Sequence, residues 1–158
     1  MIQTAHIHRE LEGVPSDVVV QKFADSTFLL LTQLGKVGNL MQATMPSTAP
    51  LLPPPPVDPA NPNVIPLPPP SPAVELSPLL GNAPSEHLRT LQSLYVSQAA
   101  TLVWAEEAVG ALEMDRKPVV VGVALQRTSG PEEEALTGKE RDTFHGFMEM
   151  VREVLAKK

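Results

Sequence analysis

The residues of this sequence best placed to do chemistry are its histidines and the stretch Gly35-Lys36-Val37-Gly38. His6 and His8 lie two apart, so on a strand both side chains leave the same face. Such a pair offers two imidazole ligands, whereas a structural zinc site takes four ligands and a catalytic one three. The neighbouring sequence supplies no third, and the pair reads as surface-exposed. His87, at the start of a helical stretch, and His145, within the last one, read as surface or boundary residues. The glycine–lysine stretch lacks the G-x-x-x-x-G-K-[ST] spacing of a phosphate loop and sits between two strands, not before a helix. It reads as a turn, with Lys36 exposed at a partner surface. Glu132-Glu133-Glu134 fits a solvated loop or a first helical turn favoured by the helix dipole. Trp104 is a candidate interface anchor, but its place on a helix favours packing against a sheet. No nucleophile, base and acid form a set, and no carboxylates pair for acid–base work, so an enzyme is not expected; a small hydrolase would need a pocket of converging polar groups. No metal or other cofactor is expected.

The bulk composition narrows the classes further. The chain has 158 residues, enough for one domain, with 42% hydrophobic residues and a formal net charge of -6. A negative balance disfavours nucleic acid, whose phosphates call for a surplus of Lys and Arg. With no cysteine, disulfides, thiolate metal sites and a Cys nucleophile are excluded. The first residues, Met1 to His8, show no cationic start followed by an apolar core, so no signal peptide is expected. No apolar run approaches the roughly 18–20 residues that span a bilayer. The expectation is a protein of the cytoplasm, extending to the nucleus, with no membrane partner.

Those chemically bland residues must be carried by elements, and the prolines show where the elements stop. Fifteen of the eighteen prolines fall between Pro46 and Pro84, and no Lys or Arg occurs between Lys36 and Arg89. Proline breaks helix interiors and cannot donate to a sheet ladder. Residues 46–84 therefore read as a proline-rich loop inserted into a single domain spanning 1–158, with polyproline II or disorder expected. Within it, Pro66-Leu67-Pro68-Pro69 carries a P-x-x-P pattern of the kind that docks in aromatic grooves. An adaptor presenting that segment is thus an alternative function, although no basic residue flanks it to orient an SH3-type contact.

Outside the insert the pattern alternates between strand and helix. Residues 17–24 and 27–34 are rich in β-branched and bulky apolar side chains, separated by Asp25-Ser26, which predicts a hairpin. Asn39–Met45 follows as a strand, residues 2–9 add an edge strand, and Val74–Leu80 adds a short one. Ser85 is a helix N-cap, after which Leu88, Leu91, Leu94, Tyr95, Leu102 and Val109 recur at near-helical spacing. Residues 118–127 form a strand. In the last helix Phe144, Phe147, Met148, Val151 and Leu155 make an apolar stripe, with Glu149, Arg152, Glu153 and Lys157 facing away. Thr137 and Glu140 have capping-box spacing, and Pro131 marks an alternative start. The expected fold class is α+β: an antiparallel sheet of about five or six strands flanked by two helices.

The central strands are apolar on both faces. Phe28, Leu30 and Leu34 point one way, Leu29 and Leu31 the other; Val119, Val121, Val123 and Leu125 oppose Val120 and Ala124. Two helices cover one such face. The other calls for a second layer, most simply a second copy or a related subunit.

The segment from Val18 to Leu40, with Val14-Pro15 leading in and Thr32-Gln33-Leu34-Gly35-Lys36-Val37-Gly38 closing the hairpin, resembles the proteasome assembly chaperone 3 family. The likeness resumes after the insert at Leu94–Val103, Val119–Leu125 and Val151-Arg152-Glu153-Val154. The resemblance implies a sheet flanked by helices that pairs with itself or with assembly chaperone 4. It also implies a non-catalytic role in early assembly of the 20S proteasome α-ring, through contacts with α-subunits, chiefly the α5 region. In that family a mobile loop after the fourth strand grips the ring. Here the corresponding loop is the proline-rich insert, which lacks basic residues, so a grip there would rest on Asp58, Glu75, Leu51, Leu52 or Leu79.

Overall fold

Glu12 and Gly13, both at positive φ (51° and 77°), turn the first strand directly into the second. Two consecutive left-handed residues match the right-handed twist of a two-residue hairpin, and glycine takes the second position without strain. The computed structural model describes residues 3–33, 35–63, 66–82, 85–108, 116–125 and 138–156. Its elements are β1 (Gln3–Leu11), β2 (Val14–Lys22), β3 (Thr27–Thr32), β4 (Asn39–Thr44), β5 (Glu75–Leu80), α1 (Glu86–Ala108), β6 (Val119–Ala124) and α2 (Gly138–Ala156). The six strands form one sheet in the order β1-β2-β3-β6-β4-β5. The fold is α+β.

The sheet is mixed, where an antiparallel one was expected. β6 pairs parallel with β3 and antiparallel with β4. The cause is the connection. β5 and β6 both run antiparallel to β4, and α1 carries the chain from one to the other as a crossover that returns β6 to the centre of the sheet. The β2–β3 connection is also wider than Asp25-Ser26 alone. It runs from Phe23 to Ser26, with Phe23 N donating to Ser26 O at 2.9 Å.

Both helices lie on one face of the sheet. Val18, Val20, Leu29, Leu31, Val119, Val121 and Val123 are buried beneath them in the same core as Val96, Val103, Phe147 and Val151. Ser85 caps α1 as expected, its Oγ accepting from Leu88 N at 3.3 Å. Trp104 is wholly buried and donates Nε1–H to Lys117 O at 3.0 Å, so it is a core residue. Tyr95 meets Phe144 and Phe147 edge-on, with centroids 5.1 and 5.6 Å apart, which ties α1 to α2. Burial, with the charge of Glu140 nearby, pushes the Tyr95 phenol well above its usual range. Val109, Glu132–Glu134, Pro131, Thr137 and Lys157 lie outside the described residues. Of the surface and boundary readings His87 takes the boundary one: partly buried, it bonds the Glu140 carboxylate at 2.8 Å and joins the starts of the two helices. His145 is exposed.

Among the described residues the proline-rich insert has no ladder between Thr44 and Glu75, yet it packs. Arg116 donates to the carbonyls of Pro46, at 2.7 Å, and of Ala49. Gln98 on α1 donates to Pro68 O at 2.8 Å, and Arg152 on α2 to Pro66 O at 2.7 Å. Leu51, Leu67, Ala73 and Val74 pack against the core from this segment. The insert is thus a strap across the helix layer. The outward-facing role read for Arg152 is corrected: its head group holds the strap.

Candidate partner interface

Strand register writes the second sheet face as rows. The central row crosses all six strands: His6, Val19, Leu30, Gly122, Leu40 and Leu80. Beside it run Thr4, Gln21, Phe28, Val120, Gln42 and Ser77. On the other flank lie His8, Asp17, Thr32 and Ala124. The helix-side residues of β3 and β6 are fully buried, whereas Val19, Phe28, Leu30, Leu40 and Val120 keep part of their surface exposed. Among the described residues no helix or strand lies on this face. The expected two-sided apolar character of β3 and β6 is present; Leu34, assigned to the same face, lies outside the described residues.

Gly122 sets the depth of the face. A Cβ there would sit 2.7 Å from Val37 O, 3.0 Å from Leu30 Cδ1 and 3.1 Å from Leu40 Cδ2. The missing side chain lets the β3–β4 turn cross β6 closely, so that the Val37 carbonyl fills a notch between two leucines. An apolar centre with a polar border is the layout of a protein–protein contact.

The border on the β1 side holds a constellation that sequence spacing did not reveal. His6 Nε2 and His8 Nδ1 both bond Asp17 Oδ1, at 2.8 and 2.9 Å. When both rings are neutral, each donates its one N–H to the carboxylate, which fixes opposite tautomers on the two histidines. Partial burial pushes the Asp17 carboxyl up, but the hydrogen bonds and charges of His6 and His8 outweigh it and bring the group below its ordinary value. The histidine pair therefore has a carboxylate partner, supplied across the β1–β2 hairpin by the pairing of His8 with Asp17. Among the described residues, no group of three or more His, Cys, Asp or Glu is arranged to hold a metal ion.

The sequence-derived contact residues fall in three places. Lys36 is exposed in the β3–β4 turn, its N–H donating to Thr32 Oγ1 at 3.2 Å. Glu75 begins β5 on the open-face side, paired with Thr44. Leu79 is skipped by the register between the Met41–Pro78 and Leu40–Leu80 pairs and is 51% exposed. Such a bulge twists the edge away from further pairing. Leu51 is half-buried against the core, while Leu52 and Asp58 are exposed on the strap. The structure does not bring these six together. Pro66-Leu67-Pro68-Pro69 is held at three of its four residues: Pro68 is buried, Leu67 packs against the core, the carbonyls of Pro66 and Pro68 are bonded to Arg152 and Gln98, and Pro69 is exposed. Two of the stretch's four carbonyls are thereby taken up by the helices.

No protein-family model matches this chain, and no curated protein matches it. Four chains of solved structures do match. One belongs to the crystal structure of a novel chaperone complex for yeast 20S proteasome assembly; it superposes with a TM-score of 0.50 at 9% identity, over 98% of this chain and 99% of that one. At that identity the likeness establishes a shared fold that runs the full length of both chains.

Proposed function

We propose that this chain is a non-catalytic proteasome assembly chaperone of the assembly chaperone 3 kind, working as half of a two-sheet sandwich. The observation that carries the reading is the open face: Val19, Phe28, Leu30, Leu40 and Val120 lie side by side and partly exposed, with no helix or strand over them among the described residues and only the β3–β4 turn crossing at Gly122. A partner of the same fold, assembly chaperone 4 or a second copy, seats its own open face on that row and shields Phe28, Leu30 and Val120 from water. The shared fold with a chain of a yeast 20S proteasome assembly chaperone complex supports the reading, as do the residues that resemble the assembly chaperone 3 family. The pair promotes early α-ring assembly by contacts with α-subunits, chiefly the α5 region, in the cytoplasm and nucleus. It uses binding energy alone, with neither cofactor nor nucleic acid.

Native mass measurement of the chain co-expressed with assembly chaperone 4, followed by affinity isolation from dividing cells, tests this. A one-to-one complex that recovers free α-subunits and incomplete rings is expected. A lone monomer, or recovery of finished proteasomes only, would overturn it.

A further inference from the structure

The strap is fastened at both ends and bare in between. Arg116 holds the carbonyls of Pro46 and Ala49, and Leu51 packs inward; Arg152 and Gln98 hold Pro66 and Pro68. Every residue from Leu52 to Asn63 is exposed, Leu52 at 36% and Val57 at 53%. This span includes Leu52-Pro53-Pro54-Pro55-Pro56-Val57-Asp58. Four successive prolines favour polyproline II, with three residues per turn. That geometry stacks Leu52 over Pro55, Pro53 over Pro56 and Pro54 over Val57. The run then stops: Asp58 Oδ1 accepts from Ala60 N at 2.9 Å and Asp58 O from Asn61 N at 3.0 Å, turning the chain away.

We propose that Leu52–Asp58 is a docking segment for an aromatic-lined polyproline groove of the EVH1 class. Three features select that partner. The four prolines are bracketed by the exposed apolar residues Leu52 and Val57, which extend the surface that a groove of aromatic rings covers. An acid, Asp58, follows at once and suits a groove with a basic residue at that end. No Lys or Arg lies anywhere between Lys36 and Arg89, so SH3 grooves that orient their ligand by a basic residue have nothing to hold. The fastened ends present the ligand already ordered, which lowers the entropic cost of docking. This segment stands apart from the open sheet face, so the two contacts are compatible.

The test is calorimetric titration of the full chain with an isolated EVH1 domain, an SH3 domain and a WW domain. The EVH1 domain is expected to give a saturable isotherm that weakens about tenfold or more in the Leu52→Ala/Pro56→Ala variant. Pro69→Ala, exposed but outside Leu52–Asp58, leaves that isotherm unchanged, and circular dichroism checks that both variants fold. Silence with the EVH1 domain, tighter binding by SH3 or WW, or indifference to the double substitution overturns the proposal.

Discussion

Gln98 and Pro68 meet side chain to backbone across 2.8 Å in a buried setting, joining the middle of α1 to the proline-rich strap. Gln98→Ala leaves the Pro68 carbonyl without its donor, a loss of about 1–3 kcal/mol. A drop in stability of that size is expected by chemical denaturation, with faster thermolysin cleavage at Leu51 and Val57. Trypsin has no site between Lys36 and Arg89, so it serves as the silent control.

Leu30→Glu places a charge in the middle of the open face. The single chain already leaves this position partly exposed, so it keeps its secondary structure, whereas a face-to-face partner would have to bury the carboxylate unpaired. Light scattering after size exclusion is expected to show a folded monomer that no longer associates.

Gly122→Val tests the notch. The new Cβ meets the Val37 carbonyl at 2.7 Å, and that backbone atom yields only if the β3–β4 turn moves. A cost of about 1–3 kcal/mol is expected by chemical denaturation, typical of overpacking, together with weakened association.

Asp17→Asn makes stability less dependent on acid. The folded-state carboxyl of Asp17 lies below its unfolded value because the His6 and His8 bonds and charges outweigh the effect of burial. Its stabilising contribution is therefore present above the unfolded value, about pH 4, and fades as pH falls through the lower folded value. Thermal melts should show wild type more stable than the variant near pH 6, with the gap closing as the pH is taken below about 4.

Much of this arrangement was legible in the sequence because it rests on local signals. Ser85 capping α1, the prolines confined to the insert, and the alternation of Leu29 and Leu31 with Phe28 and Leu30 are properties of short windows. What escaped depends on partners distant in the chain. His6 and His8 acquire Asp17 only through the β1–β2 register. The parallel pairing of β6 with β3 follows from where a helical crossover lands. The strap's order is due to Gln98, Arg116 and Arg152, polar residues that in isolation read as surface. The anchoring of the P-x-x-P stretch escaped for the same reason: the donors that hold the Pro66 and Pro68 carbonyls lie on helices far along the chain.

The placement of β6 has a consequence for how the molecule is made. Residues 119–124 bridge β3 and β4, so until they arrive the sheet is two separate pieces, β1-β2-β3 and β4-β5. On a ribosome, the leading three-quarters of the polypeptide must wait with an unzipped seam, its facing strand edges open to stray pairing. Sequence-distant closure of this kind slows folding. A newborn chain of this protein is thus itself a client for protection during the interval before its keystone emerges.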